Sequence, residues 1–325
     1  MYYCAMQLIT NLSKFLILVV LSLSLIFVWD TNNNVDISTL GSSATNTDEN
    51  ANMHPAANSV WNSISRGFTL DHKTQTSQVQ AEIRKLLADQ NKLYQILQAA
   101  TPYIYFIHQQ TRARGLPAEL ALIPFIESEF NPNDHSNKGA TGLWQLMSGT
   151  AHELGVSVKS GYDGRRNVVA STQAALAYFK DLGNFFNGNW YLAIAAYNCG
   201  QGKVQSAERR TGSKSFWNLP LPKETKVYVP KLLAVAAIIE NPKKYGVQLP
   251  QVNDKPYFAA LKVKQSVNLT QVAKSTGINI KTLQTLNPDY KSGAVPPKSK
   301  STLLVPVNKA NQVTSQLPKV VSAQI

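Results

Sequence analysis

The amino-acid sequence predicts a mainly α protein, in which a helical domain is followed by a small α+β module. Apolar residues recur at helical spacing through most of residues 78–241. Beyond residue 256 the pattern changes to short alternating runs on either side of two short helical segments, and this β-α-α-β order is typical of a small α+β module. A chain of 325 residues is long enough for two domains with cores of their own.

The first 29 residues are predicted to export the chain. Residues 15–29 carry no charge and no proline, and at 1.5 Å per residue they would span about 22 Å, less than the ~30 Å hydrocarbon core of a bilayer. A signal peptide and an N-terminal membrane anchor both stay open, because no clear small-residue cleavage site follows Trp29. Residues 30–75, whose first part is rich in Asn, Ser and Thr, are predicted to be a flexible linker.

The helical domain is predicted to cover residues 76–250, with its motifs within 116–250. A glycine and a proline mark helix ends, since Gly115 closes the second helix and Pro242 stops the last. The helices are predicted over residues 78–100, 102–114, 150–154, 168–187, 189–197, 202–210 and 224–241, and a further helix is predicted with Pro117 in its first turn and Glu127 at its end. The α+β module follows over 257–308, and 309–325 is predicted to be a tail.

Charge and cysteine content limit the classes of partner and cofactor. Residues 255–325 contain ten lysines, one aspartate and no glutamate, which indicates either a soluble lysine-rich face or an anionic partner such as nucleic acid, a membrane surface or a cell wall. The two cysteines, Cys4 and Cys199, predict no disulfide framework. No Cys/His ligand spacing and no glycine-rich phosphate loop are present, so neither a metal nor a cofactor is predicted.

Glu127 is the candidate general acid. It follows the apolar residues Ile123, Phe125 and Ile126, which would partly desolvate its carboxyl group and raise the pKa above the ordinary value of about 4.3. A solvated surface glutamate is the alternative. Glu129 lies about 200° further around the helix and cannot share the same face. The sequence offers no second carboxylate at close spacing to form a two-carboxylate glycosidase pair.

Four motifs follow one another in the chain. They are Glu-Ser-x-Phe at 127–130, Gly-Ala-x-Gly-Leu-Trp-Gln-x-Met at 139–147, Ala-Ala-Tyr-Asn-x-Gly at 195–200 and Glu-Thr-x-x-Tyr-Val-Pro-Lys at 224–231. In this order they resemble the catalytic domain of the soluble lytic transglycosylase family, most closely its membrane-bound lytic murein transglycosylase D group. The resemblance covers about residues 116–250.

The resemblance implies a lysozyme-like helical domain that cleaves the β-1,4 bond between N-acetylmuramic acid and N-acetylglucosamine in peptidoglycan. Such enzymes use one glutamate and neither water nor metal. By this analogy Glu127 protonates the glycosidic oxygen and then takes the proton of the muramoyl C6 hydroxyl, which closes a 1,6-anhydro ring. The resemblance also implies a monomer in the periplasm or cell envelope of a Gram-negative bacterium, with glycan strands as its partner.

The same motifs supply the candidate substrate-binding residues. Tyr197 and Tyr228 are expected to form a sugar platform and to orient Glu127. Considered alone, large apolar members of the set would more often lie in the core, and an Asp163–Arg165 pair would lock the loop that contains it. The full candidate set is Ser128, Leu143, Trp144, Gln145, Met147, Tyr197, Asn198 and Tyr228.

The C-terminal module resembles a LysM-like domain through Leu-Asn-Pro at 286–288 and the strand at 303–306. Its first turn reads Ser-Val-Asn-Leu instead of Gly-Asp-Thr-Leu, so its cationic face is expected to hold anionic wall or membrane components. The helical domain also departs from the family, with Asp134 in place of a small apolar residue, Asn167 in place of Asp and Cys199 in place of Ser or Ala.

Three other functions are weighed against a lytic transglycosylase. A hydrolase of the goose-type lysozyme kind shares the glutamate and the fold but releases reducing ends. A non-catalytic cell-wall-binding protein would use the same cleft to hold glycan, although a complete set of motifs around Glu127 argues against it. The exported N-terminus and the lack of a nucleic-acid-binding motif exclude a nucleic-acid partner.

Overall fold

A computed structural model describes residues 58–297, 301–317 and 320–322 of the protein. The predicted export segment and residues 30–57 of the predicted linker lie outside the described residues. Within the described part of the chain, no helix combines the length and the apolar character needed to cross a membrane.

The helical domain is built from ten α-helices in its described residues. They are α1 (Val60–Ser65), α2 (Ser77–Ala88), α3 (Gln90–Ala99), α4 (Ile104–Ala113), α5 (Ile123–Glu127), α6 (Ser148–Glu153), α7 (Val168–Phe185), α8 (Trp190–Cys199), α9 (Gln201–Thr211) and α10 (Lys223–Glu240). The 3₁₀ helix Ala118–Leu122 leads into α5, and a short hairpin of β1 (Val158–Lys159) and β2 (Tyr162–Asp163) precedes α7. The predicted mainly α class is confirmed.

Capping side chains explain where several helices begin. The predicted helix over 78–100 is two helices, because Asp89 leaves helical geometry and its side chain accepts a hydrogen bond from Lys92 N. Asn167 caps α7 in the same way through Ala170 N. The central stretch is a 3₁₀ helix over Ala118–Leu122 followed by an α-helix of only five residues, which ends at Glu127 as predicted.

Helix α10 lies at the centre of the domain and positions the site. It packs against α2, α8 and α5, and most of its residues are buried. Helix α8 is apolar on nearly every side and packs against α7 as well as α10. This arrangement brings the end of α5 close to the first turns of α10, although they are about a hundred residues apart in sequence.

The predicted linker is wrong at its C-terminal end. Val60, Trp61 and Ile64 on α1 are fully buried, and Trp61 Nε1 donates to Pro250 O at 2.9 Å. The backbone of Val60 donates to Val252 O at 2.9 Å, so this segment pairs with the start of the connection to the module. Glu119 accepts hydrogen bonds from Thr69 N and Leu70 N at 2.9 and 2.8 Å. Residues 58–75 are therefore part of the helical domain.

The C-terminal module is a three-stranded antiparallel sheet covered by helices. Its elements are β3 (Phe258–Val263), β4 (Val267–Asn268), α11 (Leu269–Thr276), α12 (Ile280–Leu286), β5 (Ala294–Val295), β6 (Thr302–Pro306), α13 (Ala310–Gln316) and β7 (Val320–Ser322). The sheet order is β6-β3-β7, with Leu261 opposite Leu303. The predicted β-α-α-β order is confirmed.

The predicted tail over 309–325 is wrong in its described residues, because it completes the module. Val313 on α13 is fully buried in the module's own apolar core. Strand β7 pairs with β3 at the edge opposite β6. Apolar residues are too sparse in this polar stretch to give a periodic signal, yet its strand β7 pairs with an edge of β3 that would otherwise be exposed.

Candidate active site

Glu127 is the last residue of α5, and the chain reverses direction directly after it. Glu129 and Phe130 both have positive φ, 52° and 58°, a conformation that is uncommon outside glycine. Phe130 is buried in the core, which helps to hold this unfavourable turn. Glu129 lies at the surface and forms an ion pair with Lys92 at 2.8 Å. The two carboxylates point to different environments, as predicted.

Glu127 lines an open cleft of about 620 Å³. The cleft is bounded by the end of α5, the loop over residues 134–147, the C-terminal end of α8 and the start of α10. Six predicted site residues line it, namely Glu127, Gln145, Met147, Tyr197, Asn198 and Tyr228. Four motifs that are far apart in sequence thus each contribute at least one side chain to a single surface.

The Glu127 carboxyl group is held in a desolvated position by Tyr228. The Tyr228 hydroxyl donates to Glu127 Oε1 at 2.5 Å. Burial raises the pKa of Glu127 to about 7, the hydrogen bond from Tyr228 opposes this rise, and the nearby charges of Glu224 and Lys231 act in opposite directions. A carboxyl group with this pKa is partly protonated at neutral pH and can act as a general acid.

Tyr197 forms a wall of the cleft and does not orient Glu127 through its hydroxyl. That hydroxyl donates to Trp144 O at 2.7 Å. Its ring stacks on Phe179, with the centroids 4.3 Å apart and the planes 11° from parallel. The predicted platform role fits the position of the ring, whereas the orienting hydroxyl is supplied by Tyr228.

In the loop over residues 139–147, buried and exposed side chains follow one another in no regular order. Thr141 and Leu146 exchange backbone hydrogen bonds at 3.2 Å in both directions. Gln145, at the tip, has a φ of 46° and donates from Nε2 to Gly142 O at 3.1 Å. Met147 follows with 45% of its side chain exposed. Gln145 and Met147 therefore face the cleft, as predicted.

Three predicted substrate-binding residues do not reach the cleft. Leu143 and Trp144 are fully buried, and Trp144 Nε1 donates to Thr172 Oγ1 on α7 at 3.0 Å. Ser128 is also buried, and its hydroxyl lies 2.9 Å from Leu143 O. The prediction that these side chains contact substrate is wrong. They fasten the cleft loop to α5 and α7, because an indole and a hydroxyl in the core need hydrogen-bond partners.

Asn198 is fixed at the end of α8 by a residue of the fourth motif. Its Oδ1 accepts a hydrogen bond from Thr225 Oγ1 at 2.7 Å. Gly200 follows with a φ of 92° and lets the chain turn directly into α9. Asn198 is therefore a fixed polar group on the cleft, one residue before the end of α8.

The predicted Asp163–Arg165 pair is present and bidentate. Arg165 Nε and Nη2 donate to the two Asp163 carboxylate oxygens at 2.9 and 2.8 Å. Arg165 Nη1 also donates to Gly139 O at 2.8 Å and lies 3.4 Å from Leu146 O. Both carbonyl groups belong to the cleft loop. The pair therefore fastens that loop, and neither of its side chains lines the cleft.

Several charged or aromatic residues outside the predicted substrate-binding set also line the cleft. Asp134, Lys138, Tyr178 and Glu224 all contribute to its surface. Glu224 had a usable signal, because it lies four residues before Tyr228 on one helix and such residues share a face. The others lie in a loop or on a neighbouring helix, where spacing gives no such guide.

In the described part of the chain, no cluster of three or more His, Cys, Asp or Glu side chains could hold a metal ion. Cys199, at the end of α8, is half-buried and unpaired. Burial raises the pKa of its thiol, so this group is protonated at neutral pH.

Two families match the chain in sequence. Residues 104–220 match the family described as "Transglycosylase SLT domain", and residues 257–322 match "Lytic transglycosylase MltD, LysM-like domain". The second match ends close to the last described strand, in agreement with a module that extends beyond residue 308.

Curated relatives extend the similarity over most of the chain. Membrane-bound lytic murein transglycosylase D of Escherichia coli (strain K12) is 37% identical over 247 residues, which are 75% of this chain and 55% of that protein. A "Putative tributyltin chloride resistance protein" of Alteromonas sp. (strain M-1) is 38% identical over 173 residues, which are 52% of this chain and 82% of that protein. The chain thus spans about half the length of the transglycosylase D relative.

Among solved structures, the inactive mutant of lytic transglycosylase Slt from Pseudomonas aeruginosa is 27% identical. It aligns with 59% of this chain and 33% of its own, at a TM-score of 0.38.

Proposed function

The chain belongs to the transglycosylase SLT family, and on this premise we propose that it is a lytic transglycosylase acting on the glycan strands of peptidoglycan. One observation carries the proposal. Glu127 lies in an open cleft, its pKa is raised to about 7, and Tyr228 fixes its orientation. A single carboxyl group of this kind can donate a proton and then take one back.

The reaction needs no second reactant. The protonated Glu127 gives its proton to the β-1,4 glycosidic oxygen as the bond to muramoyl C1 breaks, and the N-acetyl group of that sugar stabilises the positive charge at C1. The resulting Glu127 carboxylate takes the proton of the C6 hydroxyl, whose oxygen bonds to C1 and closes the 1,6-anhydro ring. Tyr228 stabilises the carboxylate between the two steps through its hydrogen bond.

The other cleft residues bind and position the sugars in this proposal. The Tyr197 ring offers an apolar face for a sugar, because its edge and back are fixed by Trp144 O and Phe179. Asn198 and Gln145 present amide groups to the cleft, and Met147 supplies an exposed apolar contact. A rigid mounting of this kind lowers the entropic cost of holding a flexible glycan.

Mass spectrometry of digested Gram-negative sacculi tests this function. The purified protein should release muropeptides with 1,6-anhydro ends, and Glu127→Gln should release none while still binding sacculi. Glutamine keeps the shape and hydrogen-bonding capacity of the side chain but cannot exchange the proton. Hydrated, reducing ends from the wild type would assign a hydrolase. Cleavage by Glu127→Gln at the wild-type rate would remove the catalytic role from this residue.

A hydrolase is the second candidate, because two further carboxylates share the cleft. Asp134 and Glu224 both line it together with Glu127, and a hydrolase needs a carboxylate able to activate water. Glu224 is exposed on the first turn of α10. If Glu224→Gln or Asp134→Asn abolished release of reducing ends, the lyase mechanism would be refuted.

We propose further that the protein acts in the envelope of a Gram-negative bacterium, where its C-terminal module meets an anionic component of wall or membrane. A groove of about 500 Å³ on the module is lined by residues that include Lys255, Tyr257, Asn308 and Lys309, and by no acidic side chain of the described residues. Replacing both lysines by alanine should weaken sacculus binding and leave cleavage of short soluble glycan unchanged. If sacculus binding were unaltered, the two lysines would not take part in binding and would contribute only to solubility.

A further inference from the structure

One of the contacts between the C-terminal module and the helical domain is made by a short loop, residues 287–291. Asp163 N donates to Asp289 O at 3.1 Å, and Lys291 N donates to Gly161 O at 3.3 Å. The rings of Tyr162 and Tyr290 lie 5.4 Å apart across the same contact. Backbone and ring contacts together fix the register between this loop and residues 161–163, which form the hairpin that precedes α7.

A buried polar pair lies at the centre of this contact. Asp289 is fully buried, and its Oδ2 accepts a hydrogen bond from Asn167 Nδ2 at 2.8 Å. Asn167 is buried as well, and its own Oδ1 accepts from Ala170 N at the start of α7. Both polar atoms of the Asn167 amide therefore have a hydrogen-bond partner. The partner of Nδ2 is Asp289 in the module, and the partner of Oδ1 is Ala170 in the helical domain. A buried carboxyl group without such a donor would be strongly unfavourable.

The residues that meet the module also hold the cleft loop. Asp163 donates its backbone N–H to the module, and its carboxylate fixes Arg165, which in turn donates to Gly139 O and lies close to Leu146 O. The fit is close, because a Cβ on Gly142 would lie 2.0 Å from Arg165 O. Any shift of residues 163–167 must therefore move the loop that carries the cleft-lining Gln145 and Met147.

We propose that Arg165 is a positioning residue for the substrate cleft and that the C-terminal module, through Asp289 and Asn167, holds Arg165 in place. The module is then a structural part of the active site. Docking of loop 287–291 fixes residues 161–167, and these fix the loop over 139–147. The effect on substrate rests on the proposed function, whereas the effect on the loop itself does not.

Exchanging the two side chains of the buried pair tests the inference in the full chain. Asn167→Asp places two carboxyl groups against each other and removes the N–H donor. Combining it with Asp289→Asn restores one donor and one carboxylate, while the carboxylate introduced at position 167 can still accept from Ala170 N. Lys274→Ala, an exposed lysine on α11, serves as the control in the module.

Two readouts separate positioning from general stability. We expect Asn167→Asp to raise KM for soluble glycan strands about tenfold with a smaller change in kcat, and to speed hydrogen–deuterium exchange of residues 139–147 but not of α8 or α10. The double variant should return both values toward wild type, and Lys274→Ala should change neither. Unaltered exchange and KM in Asn167→Asp, or a double variant no better than the single one, would overturn the inference.

Failure of the proposed function is recognisable in the same experiment. If the wild-type protein produced no anhydro ends, the exchange data would still report on the loop, and faster exchange of 139–147 reversed in the double variant would uphold the structural coupling. An Arg165→Lys variant adds an independent check, because lysine cannot reproduce the bidentate pair and the carbonyl contacts together. Wild-type KM and wild-type exchange in that variant would also refute the role of Arg165.

Discussion

Replacing Tyr228 by phenylalanine tests how the site sets the protonation of Glu127. Burial raises the pKa of Glu127 from 4.5 to about 7, a change that favours the protonated form by about 3 kcal/mol. At pH 7 about half of the carboxyl groups then carry a proton, against about 0.3% for an ordinary glutamate. The activity should therefore fall as pH rises through about 7, because the acid form is the one that acts first.

The Tyr228 hydroxyl opposes this rise, since it donates to the carboxylate at 2.5 Å. A hydrogen bond to a charged group contributes about 1.5–3 kcal/mol, so its removal should move the alkaline limb of kcat/KM upward by about 1–2 pH units. The plateau should fall about 10–100-fold, because the carboxyl group loses its fixed orientation.

Initial rates of anhydromuropeptide release, measured by liquid chromatography and mass spectrometry from about pH 5 to 9, give both quantities. Glu224→Gln is the matched control, because the Glu224 charge raises the pKa of Glu127 and its removal should move the limb downward. If the two variants moved the limb in the same direction, or the wild type showed no limb near neutrality, the account of Glu127 would be refuted.

Three further predictions concern stability and are checked by urea denaturation. Gly142→Ala should cost at least about 2 kcal/mol, because its Cβ meets Arg165 O at 2.0 Å at a φ of +85°, whereas Gly139→Ala, at a φ of +87° with open space around it, should cost only about 1 kcal/mol. Trp61→Ala should lower the free energy of unfolding by about 3–5 kcal/mol because the ring is fully buried. A decrease of less than about 1 kcal/mol would show that residues 58–75 behave as a linker and not as part of the domain. Lys92→Ala should leave the midpoint of urea unfolding unchanged, since both partners of its ion pair are about half exposed and water screens their attraction.

The sequence predicted the helices in which apolar residues recur at regular spacing. It missed the segments that are held in place by contacts with residues far away in the sequence. Helices α7, α8 and α10 were predicted to within about two residues, since buried helices carry a strong apolar pattern. Trp61 and Val313 lie in largely polar stretches. Their structural role follows only from distant contacts, with Pro250 O for Trp61 and with the module's apolar core for Val313. The composition of a local segment indicates whether that segment is apolar enough to fold, but it does not reveal contacts with residues far away in the sequence.

The candidate site shows the same division. The motifs pointed to Glu127 and Tyr228, and both line the cleft, because each lies on a helix that presents one face to it. They did not separate Trp144, which is inside, from Met147, which is outside. The chain between these two residues is irregular, so its side chains do not alternate with a fixed period. A positive φ at Gln145 changes the direction in which the following side chains point. The orientation of a side chain in an irregular loop follows from tertiary hydrogen bonds that the local sequence does not specify.

The connection between the domains explains why the C-terminal module can influence the cleft at all. A flexible linker would let the module act only as a tether, but Val252 O accepts from Val60 N, and Trp61 Nε1 donates to Pro250 O. Tyr103 on the helical domain donates to Thr285 O of the module at 3.1 Å. Together with the Asp289 contact, these bonds fix the module at separate points. An anionic wall component held by the module would therefore lie at a fixed distance from the cleft, so lysine substitutions in the module groove should raise KM for sacculi and leave kcat unaltered.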